Sequence, residues 1–358
     1  MAAPRIEADL AKVGHNAQSL GGRLGGHGIR VTGVTKAALG WPALARTLLA
    51  AGAHGLGDSR LANVEGLRQA GVDARITLLR SPMIGDAARV VRSADVSCNS
   101  EPLVIKALSA AAEEAGVDHG VLLMVELGDL REGVMPDEVE RAARLVRDLP
   151  GLHLHGLGAN LACQSGIGPD ARNMAELSHL AAVAEAMSGN RLAVVSGGGS
   201  SNLEWALSGA DVGRIDDLRL GEGILLGREP LHRRPIDWLH TDAFALVAEV
   251  IEAKVKPSLP WGTMGETAFG PAGRPIDRGN RPRAIVALGH QDTDPAGLVP
   301  PLGMTVLGAS SDHLVLDPGD HALEVGSEVR FAVGYSALVR AMTSPFVTRV
   351  EAAVAPSA

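Results

Sequence analysis

Near the start of the chain, a lysine follows a short run of strongly β-forming residues. The run is Val31–Thr35, and Lys36 comes directly after it. β-Branched side chains suit a pleated strand that is packed on both faces, so the run predicts a buried strand that ends at a lysine. A lysine amine that loses part of its hydration has a lowered pKa and becomes nucleophilic, notably toward an aldehyde. Lys36 is therefore the first candidate catalytic residue.

A second stretch suited to chemistry is the glycine-rich loop Ser196–Asn202, which reads Ser-Gly-Gly-Gly-Ser-Ser-Asn. Glycines let backbone N–H groups turn toward an anion, and the start of a following helix favours negative charge. Ser200 and Ser201 can cap that helix and add hydroxyl donors. The loop predicts a phosphate-binding site.

The elements that must position these two stretches form a repeating strand–helix pattern. Amphipathic helical stretches such as Glu101–Ala115, Pro136–Asp148 and Asp170–Met187 separate the apolar, β-rich runs. The predicted strands are Val31–Lys36, His54–Gly57, Arg75–Leu79, Ala94–Cys98, Gly120–Glu126, Leu152–Gly158, Leu192–Val195 and Arg214–Leu218. Eight βα units predict an α/β fold, a TIM-type (β/α)8 barrel over residues 1–229.

After Glu229 the pattern changes to short apolar runs separated by prolines and other turn residues. The predicted strands are Phe244–Ile251, Arg283–Leu288, Met304–Leu307, His313–Leu316 and Glu328–Val333. Such spacing is typical of a β-domain. Residues 230–358 are therefore predicted to form a smaller, mostly-β C-terminal domain.

Composition excludes several function classes. The 358 residues carry a formal net charge of −8, which argues against nucleic acid as a partner. The two cysteines, Cys98 and Cys163, do not have the spacing of a metal site and fit a reducing cytoplasm. His153 and His155 share a strand face and are interpreted as packing residues. Neither a signal peptide nor a membrane-spanning run is recognisable, so we expect a cytoplasmic protein with no bound metal.

Every predicted barrel strand is followed by polar or charged residues. In a barrel of parallel strands the carboxyl ends form one rim, where the active site lies. The residues in question are Lys36, Asp58, Arg80, Asn99, Arg131, Asn160, Ser200 and Arg219. A nucleophilic lysine and a phosphate site on the same rim are what pyridoxal 5′-phosphate requires, since it carries both an aldehyde and a phosphate.

These motifs, taken together, resemble those of the fold-type III pyridoxal-phosphate enzymes, the alanine racemase superfamily, and within it the ornithine racemase-like branch. The resemblance covers nearly the whole chain in order. The matching motifs are Gly33–Lys36, Leu56–Arg60, Gly128–Gly133, Asn160–Cys163, Ser196–Gly198, Leu218–Glu222, Leu225–Glu229 and Leu307–His313.

The resemblance implies roles for individual residues. Lys36 would carry the cofactor and act as one of two bases, while Ser200 or Ser201 would hold the phosphate. Arg219 would face the pyridine nitrogen and keep it unprotonated, because a guanidinium does not give up its proton. Arg131 would reach the phenolic oxygen of the cofactor, and Asn160 takes the place of a histidine beside it.

The chain also departs from the alanine racemase pattern. Gly221 and Glu222 are expected at the cofactor, but Glu222 replaces an apolar residue, and we expect it to form a salt bridge with Arg219. The second base of the family is a tyrosine from the partner subunit. Here His290 stands at the matching position, in Ile285–Asp292, and Tyr335 is the competing candidate.

The resemblance implies an amino-acid racemase that moves the Cα proton between two faces, and a head-to-tail homodimer that supplies the second base. Ornithine or another polar amino acid is the expected substrate. Asp58, Arg80, Ser311 and Asp312 are expected on the substrate side, where Asp312 or Asp292 would hold a distal ammonium group. The alternatives are an aldolase, dehydratase or decarboxylase on the same scaffold, or a non-enzymatic carrier of the cofactor.

Overall fold

The computed structural model describes residues 3–270 and 276–352. The chain divides into two compact units. One is Ala11–Thr241, and the other combines the N-terminal residues up to Leu10 with the chain from Asp242 onward. The predicted boundary between the two domains lies between residues 229 and 230. The first strand instead belongs with the C-terminal unit, because its backbone pairs with two strands there.

In chain order, the strands up to Thr241 are β1 (Arg5–Ala8), β2 (Arg30–Val34), β3 (Gly55–Asp58), β4 (Ile76–Leu78), β5 (Val96–Asn99), β6 (His119–Val125), β7 (Leu152–Ala159), β8 (Val194–Ser196) and β9 (Asp217–Leu220). The helices are α1 (Leu10–Gly25), α2 (Pro42–Ala50), α3 (Leu61–Gln69), α4 (Ala87–Ser93), α5 (Pro102–Ala115), α6 (Val139–Asp148), α7 (Ala171–Ser188), α8 (Leu203–Leu207) and α9 (Glu222–Leu226). Single 3-10 turns lie at Lys36–Ala38, Ile84–Asp86, Pro136–Glu138 and Ser200–Asn202.

Within the described residues, strands β2 to β9 close into a parallel barrel. β2 pairs with β3 on one side and with β9 on the other, with Gly33 opposite Leu220. The strands are buried because helices cover the barrel's outer face and side chains fill its interior. The predicted α/β barrel is confirmed.

The last barrel strand begins at Asp217, three residues later than the predicted Arg214. The residues before it are used at the amino-terminal end of the barrel. There the Arg214 guanidinium pairs with Glu185 at 2.6 Å, and the Asp216 carboxylate pairs with Arg30 at 2.8 Å. Side-chain pairing of this kind does not alter a hydrophobic pattern, so the sequence alone placed the strand too early.

The C-terminal unit is built on an antiparallel sheet. Its further elements are β10 (Phe244–Pro257), β11 (Asn280–Val286), β12 (Leu298–Val299), β13 (Thr305–Ala309), β14 (Leu314–Asp317), β15 (Glu328–Val333), α10 (Tyr335–Thr343) and β16 (Thr348–Glu351), with a 3-10 turn at Pro295–Gly297. β1 pairs antiparallel with β10 and parallel with β16. The mostly-β prediction is confirmed, with the addition of the helix α10.

No helix in the described part of the chain is long and apolar enough to cross a membrane.

Candidate active site

Lys36 begins the turn that follows β2, at the carboxyl end of the barrel. Its side chain is open to solvent, but the surrounding protein takes away part of its hydration and lowers the pKa of the amine. The positive charges of Arg131 and Arg219 lower this pKa further, against opposing contributions from Cys163 and Asp58. Lys36 is therefore an accessible amine that gives up its proton more readily than a fully hydrated lysine does.

Asp58 lies under the rim and has no exposed surface. One oxygen accepts a hydrogen bond from the Thr35 hydroxyl at 2.7 Å, and the other accepts from the Arg60 N–H at 2.9 Å and the Asn63 amide at 3.0 Å. Burial raises the pKa of this carboxyl. With three internal donors, Asp58 ties the ends of β2 and β3 together, which differs from the expected contact with substrate.

Arg219, in β9, is almost fully buried and held by three hydrogen bonds. Nη1 donates to the Ser196 hydroxyl at 2.5 Å, while Nη2 donates to the Ala159 carbonyl at 2.7 Å and the Asn160 side-chain oxygen at 2.6 Å. A guanidinium has five N–H groups, so Nε–H and one hydrogen on Nη1 remain. The group is rigid and still has donors to offer.

Asn160 links Arg219 to Arg131 through an acidic residue that the sequence analysis did not single out. The Asn160 amide donates to Glu132 at 2.7 Å, and Arg131 forms a two-pronged ion pair with the same carboxylate at 2.5 and 2.8 Å. Glu132 follows Arg131 within the recognised motif, and this position was its only sequence signal. The two arginines and the asparagine therefore belong to one hydrogen-bonded group.

The loop that carries Arg131 is fixed by two buried carboxylates. Glu126 accepts from the N–H groups of Gly128, Leu130 and Arg131 at 2.6–3.0 Å. Leu130 has a φ of 54°, a left-handed conformation that is costly for a leucine. The hydrogen bonds to Glu126 hold that conformation and so place Arg131.

The second carboxylate, Asp129, joins this loop to the one after β7. It accepts from the backbone N–H groups of Cys163, Gln164 and Ser165 at 3.0–3.2 Å. The loops that carry Arg131 and Asn160 are therefore fixed relative to each other.

The glycine-rich loop after β8 leads into the 3-10 turn that begins at Ser200. Gly198 has a φ of 147°, and a Cβ atom there would lie 2.2 Å from the Asn202 side-chain oxygen. Among the described residues, the N–H groups of Ser200 and Ser201 donate to no backbone carbonyl. The Ser200 hydroxyl accepts from the Gly223 N–H at 3.0 Å, and the Ser201 hydroxyl donates to the Leu161 carbonyl at 3.3 Å. Amide donors without a backbone partner at the start of a helical turn fit a phosphate group.

Glu222, the first residue of α9, does not form the predicted salt bridge with Arg219. The hydrogen bonds of that guanidinium go to Ser196, Ala159 and Asn160 instead. The Glu222 side chain is half-buried, and burial raises the pKa of its carboxyl, against the positive charges of Arg233 and Lys36. The preceding Gly221 lies against Val34 at the end of β2. The prediction was wrong because a neighbour in sequence is not the nearest partner in the barrel.

Arg80, after β4, is exposed at the rim, and among the described residues its guanidinium has no hydrogen-bond or ion-pair partner. It is therefore available to a ligand. Within the same described residues, no three His, Cys, Asp or Glu side chains are grouped as a metal site.

The remaining candidates lie in the C-terminal unit. The half-buried His290 stacks on Phe269, with ring centroids 4.0 Å apart and planes inclined by 26°. Tyr335 is the first residue of α10 and is also half-buried. Both rings are partly accessible, so neither position excludes contact with a ligand.

The two acidic candidates of this unit differ in accessibility. Asp312 is exposed and interacts with His313 at 2.8 Å, and it accepts from the hydroxyls of Ser310 and Ser311 at 3.2 Å. These contacts lower the pKa of Asp312. Asp292 is buried, where it accepts from the Gly289 N–H at 2.8 Å, and burial raises its pKa. Asp312 is the more accessible carboxylate of the two.

Comparison with known proteins gives a consistent picture. Residues 8–228 match the model of the alanine racemase N-terminal domain. The chain is 40% identical to the lysine racemase of Thermotoga maritima, over 98% of this chain and 99% of that protein. It is 35% identical to the ornithine racemase of Acetoanaerobium sticklandii, over 97% and 99%. Among solved structures, the alanine racemase of Streptomyces coelicolor A3(2) has a similar fold, with a TM-score of 0.77 and 23% identity over 97% of each chain.

The domain model covers more than half of the chain, and both named racemases match nearly all of it. The chain belongs to the alanine racemase family.

Proposed function

We propose that this protein is a pyridoxal-phosphate-dependent racemase for amino acids with a basic side chain, such as lysine or ornithine. The observation that carries the proposal is the group at the carboxyl rim. An accessible amine with a lowered pKa, a rigid buried guanidinium and a loop of unpaired amides come together there. The relatives named lysine racemase and ornithine racemase support the substrate class.

Pyridoxal phosphate, when bound, withdraws electrons from Cα of an attached amino acid and so makes the Cα proton acidic. The amine of Lys36 would attach the cofactor covalently. The amides of Ser200 and Ser201 would hold its phosphate. Arg219 would direct a remaining N–H at the ring nitrogen and, because it stays charged, would prevent that nitrogen from gaining a proton. Electron withdrawal would then be limited, which favours return of the proton to Cα.

Racemisation needs an acid–base group on each face of Cα. Lys36, with its lowered pKa, would take or return the proton on one face. We propose that His290 or Tyr335 of a second copy serves the other face, in a head-to-tail homodimer. Imidazole and phenol can both move a proton at Cα if they are held within hydrogen-bond reach.

Substrate selection would rest on two charged side chains. Arg80, an exposed arginine with no partner in the described chain, would bind the α-carboxylate as a charge-assisted hydrogen-bond donor. Asp312 of the second copy would accept the distal ammonium group, because it is exposed and its lowered pKa keeps it charged. An amino acid without that ammonium would bind more weakly.

The test is proton NMR of an equimolar amino-acid mixture in deuterium oxide with the enzyme and pyridoxal phosphate. Selective loss of the α-proton signal of lysine or ornithine is expected, and chiral chromatography should then show both enantiomers. The Lys36→Ala variant is the control for exchange caused by free cofactor. Loss of an α-proton without formation of the second enantiomer, or cleavage of a β-hydroxy amino acid, would contradict the racemase assignment.

The second base can be identified with single and mixed variants. Removal of the correct residue, by His290→Phe or Tyr335→Phe, should slow exchange of one enantiomer far more than the other. In a head-to-tail dimer, the variant that loses activity should regain it when mixed with Lys36→Ala, because one intact site forms in each mixed dimer. Absence of that recovery would contradict the shared site.

A further inference from the structure

Below Arg219, inside the barrel, a second charged group is connected to it. Asp217 begins β9 two residues before Arg219, so both side chains point to the same face of the strand. Only 4% of Asp217 is exposed. One carboxylate oxygen accepts from the Ser196 hydroxyl at 2.5 Å, and the other accepts from the Thr32 hydroxyl at 2.7 Å.

The direction of these hydrogen bonds follows from proton counting. A guanidinium can only donate, so the Ser196 hydroxyl accepts from Arg219 Nη1 and has its single proton left for Asp217. The Thr32 hydroxyl donates to the other oxygen, so both oxygens of Asp217 act as acceptors, which fits an ionised carboxylate. Arg219, Ser196 and Asp217 thus form a relay in which a buried cation and a buried anion are joined by one hydroxyl.

Burial raises the pKa of Asp217, whereas the hydrogen bonds from Ser196 and Thr32 and the charge of Arg219 oppose this effect. A buried guanidinium without a counter-charge would be costly, and the relay supplies that charge from within the barrel. A cavity of about 40 Å³ borders Thr32, Asp217 and Arg219 on this inner side.

The other edge of Arg219 is fixed separately. Both hydrogens of Nη2 are used by Ala159 and Asn160, so the plane of the guanidinium is held from two directions. The donors that remain are Nε–H and one hydrogen on Nη1. Their direction depends on whether Nη1 stays on Ser196.

We propose that Asp217, acting through Ser196, is the positioning residue that aims the free N–H groups of Arg219 at the ligand in the mouth of the barrel. The inference rests on the proposed function for the identity of that ligand, the pyridine ring of the cofactor. Without an ionised Asp217, the Ser196 proton has no fixed acceptor, so the hydroxyl can rotate away from Nη1 and the guanidinium is held at Nη2 alone. The ring nitrogen would then become open to protonation.

The experiment compares Asp217→Asn and Ser196→Ala with a matched control, Asp216→Asn. Asp216 is the adjacent residue, and its carboxylate is partly exposed and paired with Arg30. In holoenzymes that retain the cofactor through gel filtration, the absorbance of the bound cofactor is titrated against pH. The midpoint of this titration is expected to shift by at least about one pH unit in both relay variants, because each loses a nearby charge or hydrogen bond. Little shift is expected for Asp216→Asn.

Kinetics give a second readout. In the relay variants kcat should fall at least about tenfold while KM changes little, because the lost interaction acts on the reacting state. Ser196→Thr keeps the hydroxyl and should restore the spectrum. If Asp217→Asn does not fold, as judged by circular dichroism, Ser196→Ala and Ser196→Thr still decide the question. Spectra and kcat that match those of Asp216→Asn would overturn the proposal.

A measurement on the cofactor-free protein separates this inference from the proposed function. With isotope-labelled arginine, the rigid Nε–H of Arg219 should give a slowly exchanging NMR signal that Asp217→Asn and Ser196→Ala broaden and Asp216→Asn leaves in place. If the wild-type protein bound no pyridoxal phosphate, the proposed function would fail, whereas this signal would still report on the relay. An unchanged signal in both relay variants would refute the relay.

Discussion

The two ends of the barrel both collect charged side chains, but they use them differently. At the amino-terminal end, arginines pair with acidic partners nearby. Arg68 binds Asp95 at 2.6 Å, and Arg30 binds Asp216 at 2.8 Å. At the carboxyl end, accessible donors remain after the internal pairing is complete. One end uses its charges to join neighbouring elements, and the other keeps part of its bonding capacity for a ligand.

Histidine and lysine show the same contrast. His119 and His155, toward the amino-terminal end, have pKa values lowered to about 4, chiefly by burial. They remain neutral at neutral pH and serve packing. Lys36, at the other end, also has a lowered pKa because of lost hydration, but its amine is open to solvent. Lost hydration therefore lowers the pKa at both ends, but only the Lys36 amine is also exposed to solvent.

The largest expected effect comes from removing the accessible amine. Lys36→Ala should abolish the visible absorbance band of covalently bound pyridoxal phosphate and its fixation by borohydride. Lys106→Ala, a lysine exposed on α5, is the matched control and should leave both unchanged. A band that persists in Lys36→Ala and is fixed by borohydride would remove the functional distinction between the two ends.

The next effect concerns stability at the amino-terminal end. Burial lowers the pKa of His119 from 6.5 in the unfolded chain to about 4 in the folded protein, so the unfolded state binds more protons between these two pH values. The free energy of unfolding should therefore fall as pH falls from 7 to 5, with His119 contributing about 2 kcal/mol of that loss. His119→Gln should reduce this slope in urea unfolding relative to the wild-type protein. Equal slopes in the two proteins would show that His119 is not a buried neutral residue.

A smaller effect is expected in the glycine-rich loop that we propose holds the phosphate. Gly198→Ala adds a Cβ 2.2 Å from the Asn202 side chain and should weaken cofactor affinity at least about tenfold, equivalent to ~1.4 kcal/mol. Gly189→Ala is the control, since Gly189 also has a positive φ but no atom within 4 Å of the added Cβ. It should lower stability by about 1 kcal/mol without changing affinity. Fluorescence titration with pyridoxal phosphate measures the cofactor affinity of both variants. Equal affinities would show that the loop does not bind the phosphate.

The smallest effect is expected for an ion pair at the amino-terminal end. Arg30→Met should lower the free energy of unfolding by at most about 1 kcal/mol, because the Arg30–Asp216 pair is partly exposed. A double-mutant cycle with Asp216→Asn isolates the pair, and cofactor affinity should stay constant in all four proteins. A change in affinity would mean that the two ends are coupled through the barrel.

The sequence was informative where a residue's role follows from its place in the repeating pattern. Lys36, Arg131, Asn160, Ser200 and Arg219 each follow or end a barrel strand, and parallel strands bring such residues to one rim. The division of the chain into two units was harder to predict from the sequence. The pairing of β1 with β10 and β16 joins residues far apart in the chain, which local periodicity does not register.

The sequence by itself therefore determined the barrel, the order of residues around its rim and the family. Only the tertiary structure decided which of those residues are joined. Ser196, Ala159 and Asn160, not Glu222, hold Arg219, and Glu132 links Arg131 to Asn160. The reason is physical: hydrophobic periodicity reports which face of an element is buried, whereas a hydrogen bond depends on the distance between two atoms within a few tenths of an ångström.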